Sequence, residues 1–141
     1  MLVDEQGLPL AFGDILSGNH NDFFEVVPQF AKMCRKLKFN EINLEKATLN
    51  MDKGFDSQGL RRAVQRRKIK PNVKENKRNR KKNKRGRKRL FDEELYAKRF
   101  CVERTFAWFD AFRSLIIRYE TSIINWKSLH FLAAIIMYVK V

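Results

Sequence analysis

The clearest pattern of hydrophobic and polar positions lies between residues 91 and 114. On an α-helix, which turns by about 100° per residue, its polar members fall within a sector of about 60°: Tyr96, Arg99, Glu103 and Asp110. An adjacent sector of similar width is apolar: Phe91, Leu95, Val102, Phe106 and Phe109. The pattern predicts one helix over about residues 92–114 with a buried apolar stripe. Glu103 then lies beside that stripe, where a cleft would hold it.

The earlier part of the chain alternates between strand and helix patterns. Residues 1–3 and 8–12 predict a hairpin that turns at Gly7. Asp22 and Glu25 resemble a capping box at the start of a helix, and Pro28 predicts a split of that helix pattern into a short turn and a longer helix. Residues 47–51 predict a strand that ends at Asp52. Strand ends followed by a glycine turn form the rim of α/β sheets, where ligands bind, but Asp52 also suits a turn cap.

The pattern continues with a basic helix over residues 60–67, capped by Asp56, and a strand over residues 68–73. The final helix is expected to begin at Thr121 or Ser122. Its predicted buried stripe contains Trp126, Leu129, Ala133, Ile136 and Met137. The order of elements therefore predicts an α/β protein.

Charge is concentrated in one segment. The formal net charge is +14, and residues 61–89 hold 17 of the 30 Lys and Arg residues with one acid, Glu75. Residues 74–90 are predicted to form a basic, mobile arm that binds the phosphates of double-stranded DNA. Its predicted contacts are Lys77, Arg78, Arg80, Lys81, Lys82, Lys84, Arg85, Arg87, Lys88 and Arg89, with Arg104 and Arg113 outside it.

Other classes of protein fit less well. The apolar run at residues 131–139 is shorter than the about 20 residues that span a bilayer, and no signal peptide precedes it. Cys34 and Cys101 lack metal-ligand spacing, which favours free thiols in a reducing compartment. The expected location is the cytoplasm, in association with the nucleoid when the protein is bound to DNA.

Two carboxylates are candidates for shared chemistry. Asp52 follows a strand and Glu103 lies on a helix, and such acids hold Mg²⁺ (or Mn²⁺) together with substrate phosphates. Two bound ions would stabilise the attacking and leaving oxygens of a phosphoryl transfer. Arg99 has a simpler interpretation as an i,i+4 ion pair with Glu103.

These residues resemble a known family. Residues 51–56 (MDKGFD) resemble the second-aspartate motif of bacterial insertion-sequence transposases of the DDE class. Tyr96, Arg99 and Glu103 resemble the Y-x2-R-x3-E signature of those enzymes, followed by RTFAW at residues 104–108 and by FR and RYE at residues 112–113 and 118–120. Residues 3–10 (VDEQGLPL) resemble the strand pair that precedes these motifs.

The resemblance implies an RNase H-like mixed sheet with flanking helices, over residues 1–141 as one partial catalytic domain. It implies metal-dependent DNA strand cleavage and strand transfer at transposon ends, with Asp52 and Glu103 as catalytic metal ligands and Tyr96 and Arg99 in support. Two departures are small: Asn50 replaces an apolar strand residue, and Asp110 replaces a basic one.

The third departure concerns the first aspartate of the family, which lies on a strand upstream of the hairpin. The chain is therefore expected to be incomplete at its N-terminal strand and inactive alone. Its partner would be an upstream-frame polypeptide or another transposase protomer. Two alternatives stay open: a non-enzymatic DNA-binding remnant that acts through the basic arm, and a complete nuclease that recruits Asp56 or Asp4 as its third acid.

Overall fold

The computed structural model describes residues 1–21, 23–76 and 90–140. Asp22 and residues 77–89, which include the ten predicted DNA contacts of the arm, lie outside the described residues. The chain divides into two compact units. We call Met1–Ser17 with Phe100–Val141 the hairpin unit, and Gly18–Arg99 the parallel-strand unit.

The parallel-strand unit is built around two short parallel strands, β3 (Thr48–Met51) and β4 (Lys70–Val73). Helix α2 (Gln58–Gln65) joins them, as parallel pairing requires. Helix α1 (Val26–Phe39) precedes β3, and α3 (Glu93–Ala97) comes last. The buried apolar side chains of this unit belong to α1, α2, β4 and the turn before β4: Phe30, Met33, Leu37, Leu60, Ala63, Val64, Ile69 and Val73.

Helix α1 begins later than the sequence pattern predicts. Glu25 is its N-cap residue with a positive φ of 51° and makes no side-chain capping bond, so it does not close a capping box. Pro28 lies in the first turn of α1. The first four backbone N–H groups of a helix have no partner within it, so proline removes no hydrogen bond there. The predicted split into a short turn and a longer helix is confirmed, because residues 23–25 form a turn and α1 follows.

The hairpin unit combines an antiparallel strand pair with three helices. Strands β1 (Leu2–Val3) and β2 (Pro9–Ala11) form the predicted hairpin. Helices α4 (Cys101–Asp110), α5 (Arg113–Ile116) and α6 (Ile123–Lys140) follow. They enclose a core of Leu8, Phe109, Leu115, Ala133, Ala134 and Met137. Ile136 of the predicted stripe is 39% exposed, and Ala134 is buried instead.

The single helix predicted over residues 92–114 is interrupted. Helix α3 ends at Ala97, Lys98–Phe100 form a 3₁₀ turn, and α4 follows. A 3₁₀ turn advances by about 120° per residue, so sector arithmetic for one continuous α-helix does not extend from Tyr96 to Glu103. The predicted apolar stripe is confirmed only in part, because Phe109 is buried at 8% exposure while Phe106 is 53% exposed and Phe91 is 38% exposed.

The structure confirms the mixed α/β class. The described strands form two separate two-stranded sheets, one antiparallel and one parallel, rather than the one mixed sheet expected. Among the described residues, no helix is both long enough and apolar enough to cross a membrane.

Candidate active site

Asp52 lies where β3 ends and a 3₁₀ turn, Lys53–Phe55, begins. Its Oδ2 accepts a hydrogen bond of 3.0 Å from the backbone N–H of Gly54. Half of the side chain, 49%, is exposed. The two interpretations of Asp52 are thus compatible, because one carboxylate oxygen caps the turn while the side chain stays accessible at the strand end.

Arg99 and Tyr96 accompany Asp52 in the parallel-strand unit. Nη1 of Arg99 lies 3.8 Å from Oδ1 of Asp52. The guanidinium carbon lies 4.9 Å from the ring centroid of Tyr96, a cation–π contact. Tyr96 in turn packs edge-on against Phe91, with 5.1 Å between ring centroids. Arg99 thus pairs with Asp52, which the simpler interpretation of its spacing did not predict.

Glu103 lies in the hairpin unit, in the first turn of α4, and is exposed. A carboxylate is favourable there, because the N-terminal end of a helix carries partial positive charge. The hairpin holds this turn in place. The hydroxyl of Thr105 donates to the Gly7 carbonyl, and the Cys101 thiol donates to the Asp4 carbonyl at 3.4 Å.

The predicted metal ligands belong to different units, Asp52 to one and Glu103 to the other. Their joint site therefore stays a prediction. Carboxylate oxygens at two accessible positions suit a hard divalent cation. Within the described residues, however, no group of three His, Cys, Asp or Glu side chains is arranged to hold a metal ion. The carboxylates of Asp52 and Glu103 are suitable types of ligand for a metal ion, but two ligands are fewer than a metal site needs.

The two acids considered as a third ligand are engaged elsewhere. Asp56 is buried and forms an ion pair of 2.7 Å with Arg61. Its other oxygen accepts from the backbone N–H of Asn76 at 2.9 Å. The prediction that Asp56 caps α2 is wrong, because Ser57 is the N-cap and its hydroxyl accepts from the N–H of Leu60.

Asp4 has a structural role in the hairpin turn. Its Oδ1 accepts hydrogen bonds from the backbone N–H groups of Gln6 at 2.9 Å and Leu8 at 2.8 Å. A metal ion would compete with these turn bonds. Burial and the ion pair thus argue against Asp56 as the third ligand, while the turn bonds give Asp4 a structural role.

Asn72 was not singled out from the sequence, although it supports this region. It is 1% exposed on β4, and its amide nitrogen donates to Asn50 Oδ1 and to the Asp92 carbonyl, each at 2.8 Å. Its oxygen accepts from the N–H of Asp92 at 3.0 Å. The bond to Asn50 supplies a reason for the polar residue on β3. Its partners lie about twenty residues away on either side, so no local pattern indicates the role.

Arg104 and Arg113, the two predicted DNA contacts outside the arm, are both exposed in the hairpin unit. Arg104 lies on α4 with its guanidinium 5.9 Å from the ring centroid of Trp108. Arg113 is the first residue of α5. Both side chains are placed where phosphate can reach them.

Both cysteines are free and half-buried. Burial raises the pKa of the Cys34 thiol, and it also raises the pKa of the Cys101 thiol. A thiol with a raised pKa is a poor nucleophile at neutral pH, because the thiolate is the reactive form. Thiol catalysis is thus not indicated at either residue.

One comparison with known proteins identifies the class. The family model for the Transposase DDE domain matches residues 1–138. The chain belongs to this family, as its motifs had indicated. A search of curated proteins and a search of solved structures each found no match.

Proposed function

We propose that this chain carries out part of DNA transposition, namely metal-dependent DNA strand cleavage and strand transfer at transposon ends. The family match supports transposition-related DNA chemistry. The position of Asp52 is the main observation that supports this site. Asp52 lies at the end of β3 within 3.8 Å of Arg99, and both residues belong to the motifs of the family. We propose an RNase H-like arrangement for the complete domain.

The side chains have distinct roles in this proposal. Asp52 and Glu103 hold Mg²⁺ or Mn²⁺, which would activate the attacking oxygen and stabilise the leaving one. The N–H of Gly54 orients the Asp52 carboxylate. Arg99 offsets the charge of Asp52, and its contact with Tyr96 fixes the guanidinium. Arg99 would also suit a DNA phosphate, because a guanidinium binds phosphate oxygens well.

We also propose that the third carboxylate lies outside residues 1–141, for example in a polypeptide encoded in an upstream frame or in a second transposase protomer. The engagement of Asp56 with Arg61 supports this, as does the role of Asp4 in its turn. Two acids bind a divalent cation weakly, and residues that act as a unit lose activity together when one is missing. Residues 1–141 alone are then inactive.

A cleavage assay tests the proposal. Radiolabelled transposon-end duplex is incubated with Mg²⁺ or Mn²⁺ and either residues 1–141 or the same residues fused to the upstream-frame polypeptide. We expect cleavage by the fusion alone, and a loss of at least about a hundredfold in Asp52→Asn and in Glu103→Gln, since each removes a ligand of the reacting centre.

Glu93→Gln removes an exposed acid of α3 and serves as the control, with activity unchanged. Cleavage by the fusion that persists in both Asp52→Asn and Glu103→Gln would contradict the site. Cleavage by residues 1–141 alone would contradict the separate origin of the third carboxylate.

A second candidate is a non-enzymatic DNA-binding protein of the nucleoid in the cytoplasm. The concentration of 17 basic residues and one acid in residues 61–89 favours it. Deleting residues 74–89 is then expected to weaken duplex binding and to flatten its dependence on salt, because fewer counterions are released. Unchanged affinity, measured by fluorescence anisotropy across a salt series, would contradict this role for the arm.

A further inference from the structure

Helix α1 carries a second concentration of basic residues, outside the predicted arm. Lys32, Arg35, Lys36 and Lys38 are all exposed, and we call them the α1 basic face. No acid occurs between Val26 and Phe39. The second half of the helix, from Lys32 to Lys38, therefore carries one sign of charge.

The opposite side of α1 anchors the helix. Phe30, Met33 and Leu37 are buried at 3%, 7% and 2% exposure. The guanidinium of Arg67, just after α2, lies 5.5 Å from the ring centroid of Phe30. A helix fixed on one side presents its exposed cations on a rigid support, which lowers the entropy cost of binding a repeated charge.

Helix stability alone does not explain this face. Lys36 and Lys38 lie in the last turn, where they interact favourably with the helix dipole. Lys32 and Arg35 lie before that turn. Lys32 and Lys36 are spaced i,i+4 and Lys32 and Arg35 i,i+3, so the three cations lie close together on one side of the helix. A polyanion can therefore contact all three at once.

The basic face continues into a concave surface. Arg35 and Lys38 line a cavity of about 450 Å³ together with Arg67. Glu41 and Glu45 line it as well, but Glu45 is neutralised by Lys68 at 3.1 Å. Three cations and two acids thus leave the lining of the cavity with a small net positive charge, which favours an anion.

We propose that the α1 basic face binds the phosphate backbone of double-stranded DNA as a contact surface separate from residues 74–90. This proposal rests on the proposed function, in that both take DNA as the partner. Backbone contacts of this kind position a protein on the duplex without reading its sequence. Helix α1 would hold the DNA outside the reacting centre.

The test compares three variants of the full chain with the unmodified protein. Lys32→Gln/Arg35→Gln/Lys36→Gln removes three charges from the face. Lys32→Arg/Arg35→Lys/Lys36→Arg keeps them. Lys46→Gln/Lys70→Gln/Lys140→Gln removes three charges from exposed lysines outside the face and its cavity. Each is titrated into a labelled duplex of arbitrary sequence, and thermal unfolding by circular dichroism checks that each variant folds.

We expect the first variant to bind about tenfold more weakly or worse at about 100 mM salt, with a log–log salt slope shallower by up to about 2.7. The charge-keeping variant should bind like the unmodified chain. The lysine control should change affinity by less than about threefold, since long-range charge effects on exposed groups are screened at this salt.

Three results would overturn the inference. If the first variant binds as tightly as the unmodified chain, α1 does not contact DNA, while the proposed function stands. An equal loss in the lysine control would show an effect of net charge rather than of this face. If the unmodified chain shows no salt-dependent binding to duplex DNA at all, the proposed function fails with the inference.

Discussion

At the scale of single residues, Gly7 connects the hairpin to the helix that carries Glu103. Its φ of +85° lies in the left-handed region, which only glycine adopts without strain. A Cβ at this position would lie 2.8 Å from the carbonyl oxygen of Cys101 and 3.2 Å from the Thr105 hydroxyl. Both the turn and the close approach of α4 therefore require glycine.

Gly7→Ala is expected to lower the free energy of unfolding by about 2 kcal/mol or more, because strain at positive φ adds to the backbone clash. Gly59→Ala is the control. Among the described residues no heavy atom lies within 4 Å of a Cβ at Gly59, and alanine in helix α2 should stabilise by up to about 1 kcal/mol. Urea denaturation measures both, and equal effects would contradict the role of Gly7.

The sequence predicts which residues lie at turns and strand ends better than it predicts their hydrogen bonds and ion pairs. Gly7 was expected at a turn, and Asp52 at a strand end, because both signals are local. The pairing of Asp56 with Arg61 and the bonds of Asn72 to Asn50 and Asp92 depend on how distant segments pack. No periodicity in the sequence encodes such contacts, so they were missed or misassigned.

At the scale of elements, Arg61 attaches α2 to β4. Nε of Arg61 pairs with Asp56, and Nη2 donates to the Val73 carbonyl at 2.8 Å. The side chains of Arg61 and Asp56 are 9% and 5% exposed. A buried ion pair of this kind fixes the crossover between β3 and β4, and so the position of the turn after Asp52.

Asp56→Ala is expected to lower the free energy of unfolding by about 3–5 kcal/mol, because it leaves the guanidinium buried without its counter-ion. Glu45→Ala breaks the exposed pair with Lys68, whose side chains are 49% and 72% exposed, and should cost less than about 1 kcal/mol. A loss at Asp56 no larger than at Glu45, measured by urea denaturation, would contradict the buried role.

The elements themselves were predicted unevenly. The hairpin, β3 and β4 were expected nearly where they lie, because strand alternation and turn residues mark them. The prediction of a single helix around Glu103 was wrong, because the 3₁₀ turn Lys98–Phe100 has no distinct hydrophobic pattern that would reveal it. The helical pattern over residues 91–110 combines residues from both sides of this turn, so it suggested one continuous helix.

At the scale of the whole molecule, charge and family agree on a nucleic-acid partner. The chain belongs to the Transposase DDE domain family, and its net charge of +14 is carried by a short stretch. The family was predictable because its motifs are ordered strings of residues. A joint metal site of Asp52 and Glu103 stays a prediction, because local sequence patterns do not specify how distant segments meet.

The central claim is that Asp52 and Glu103 are the metal-binding carboxylates of this chain. Adding Mn²⁺ to the ¹⁵N-labelled protein should broaden backbone amide signals near each bound ion. We predict broadening at Gly54 and Glu103, lost in Asp52→Asn and Glu103→Gln and retained in Glu94→Gln. Broadening that centres on Glu93 and Glu94, or that persists in both Asp52→Asn and Glu103→Gln, would contradict the claim.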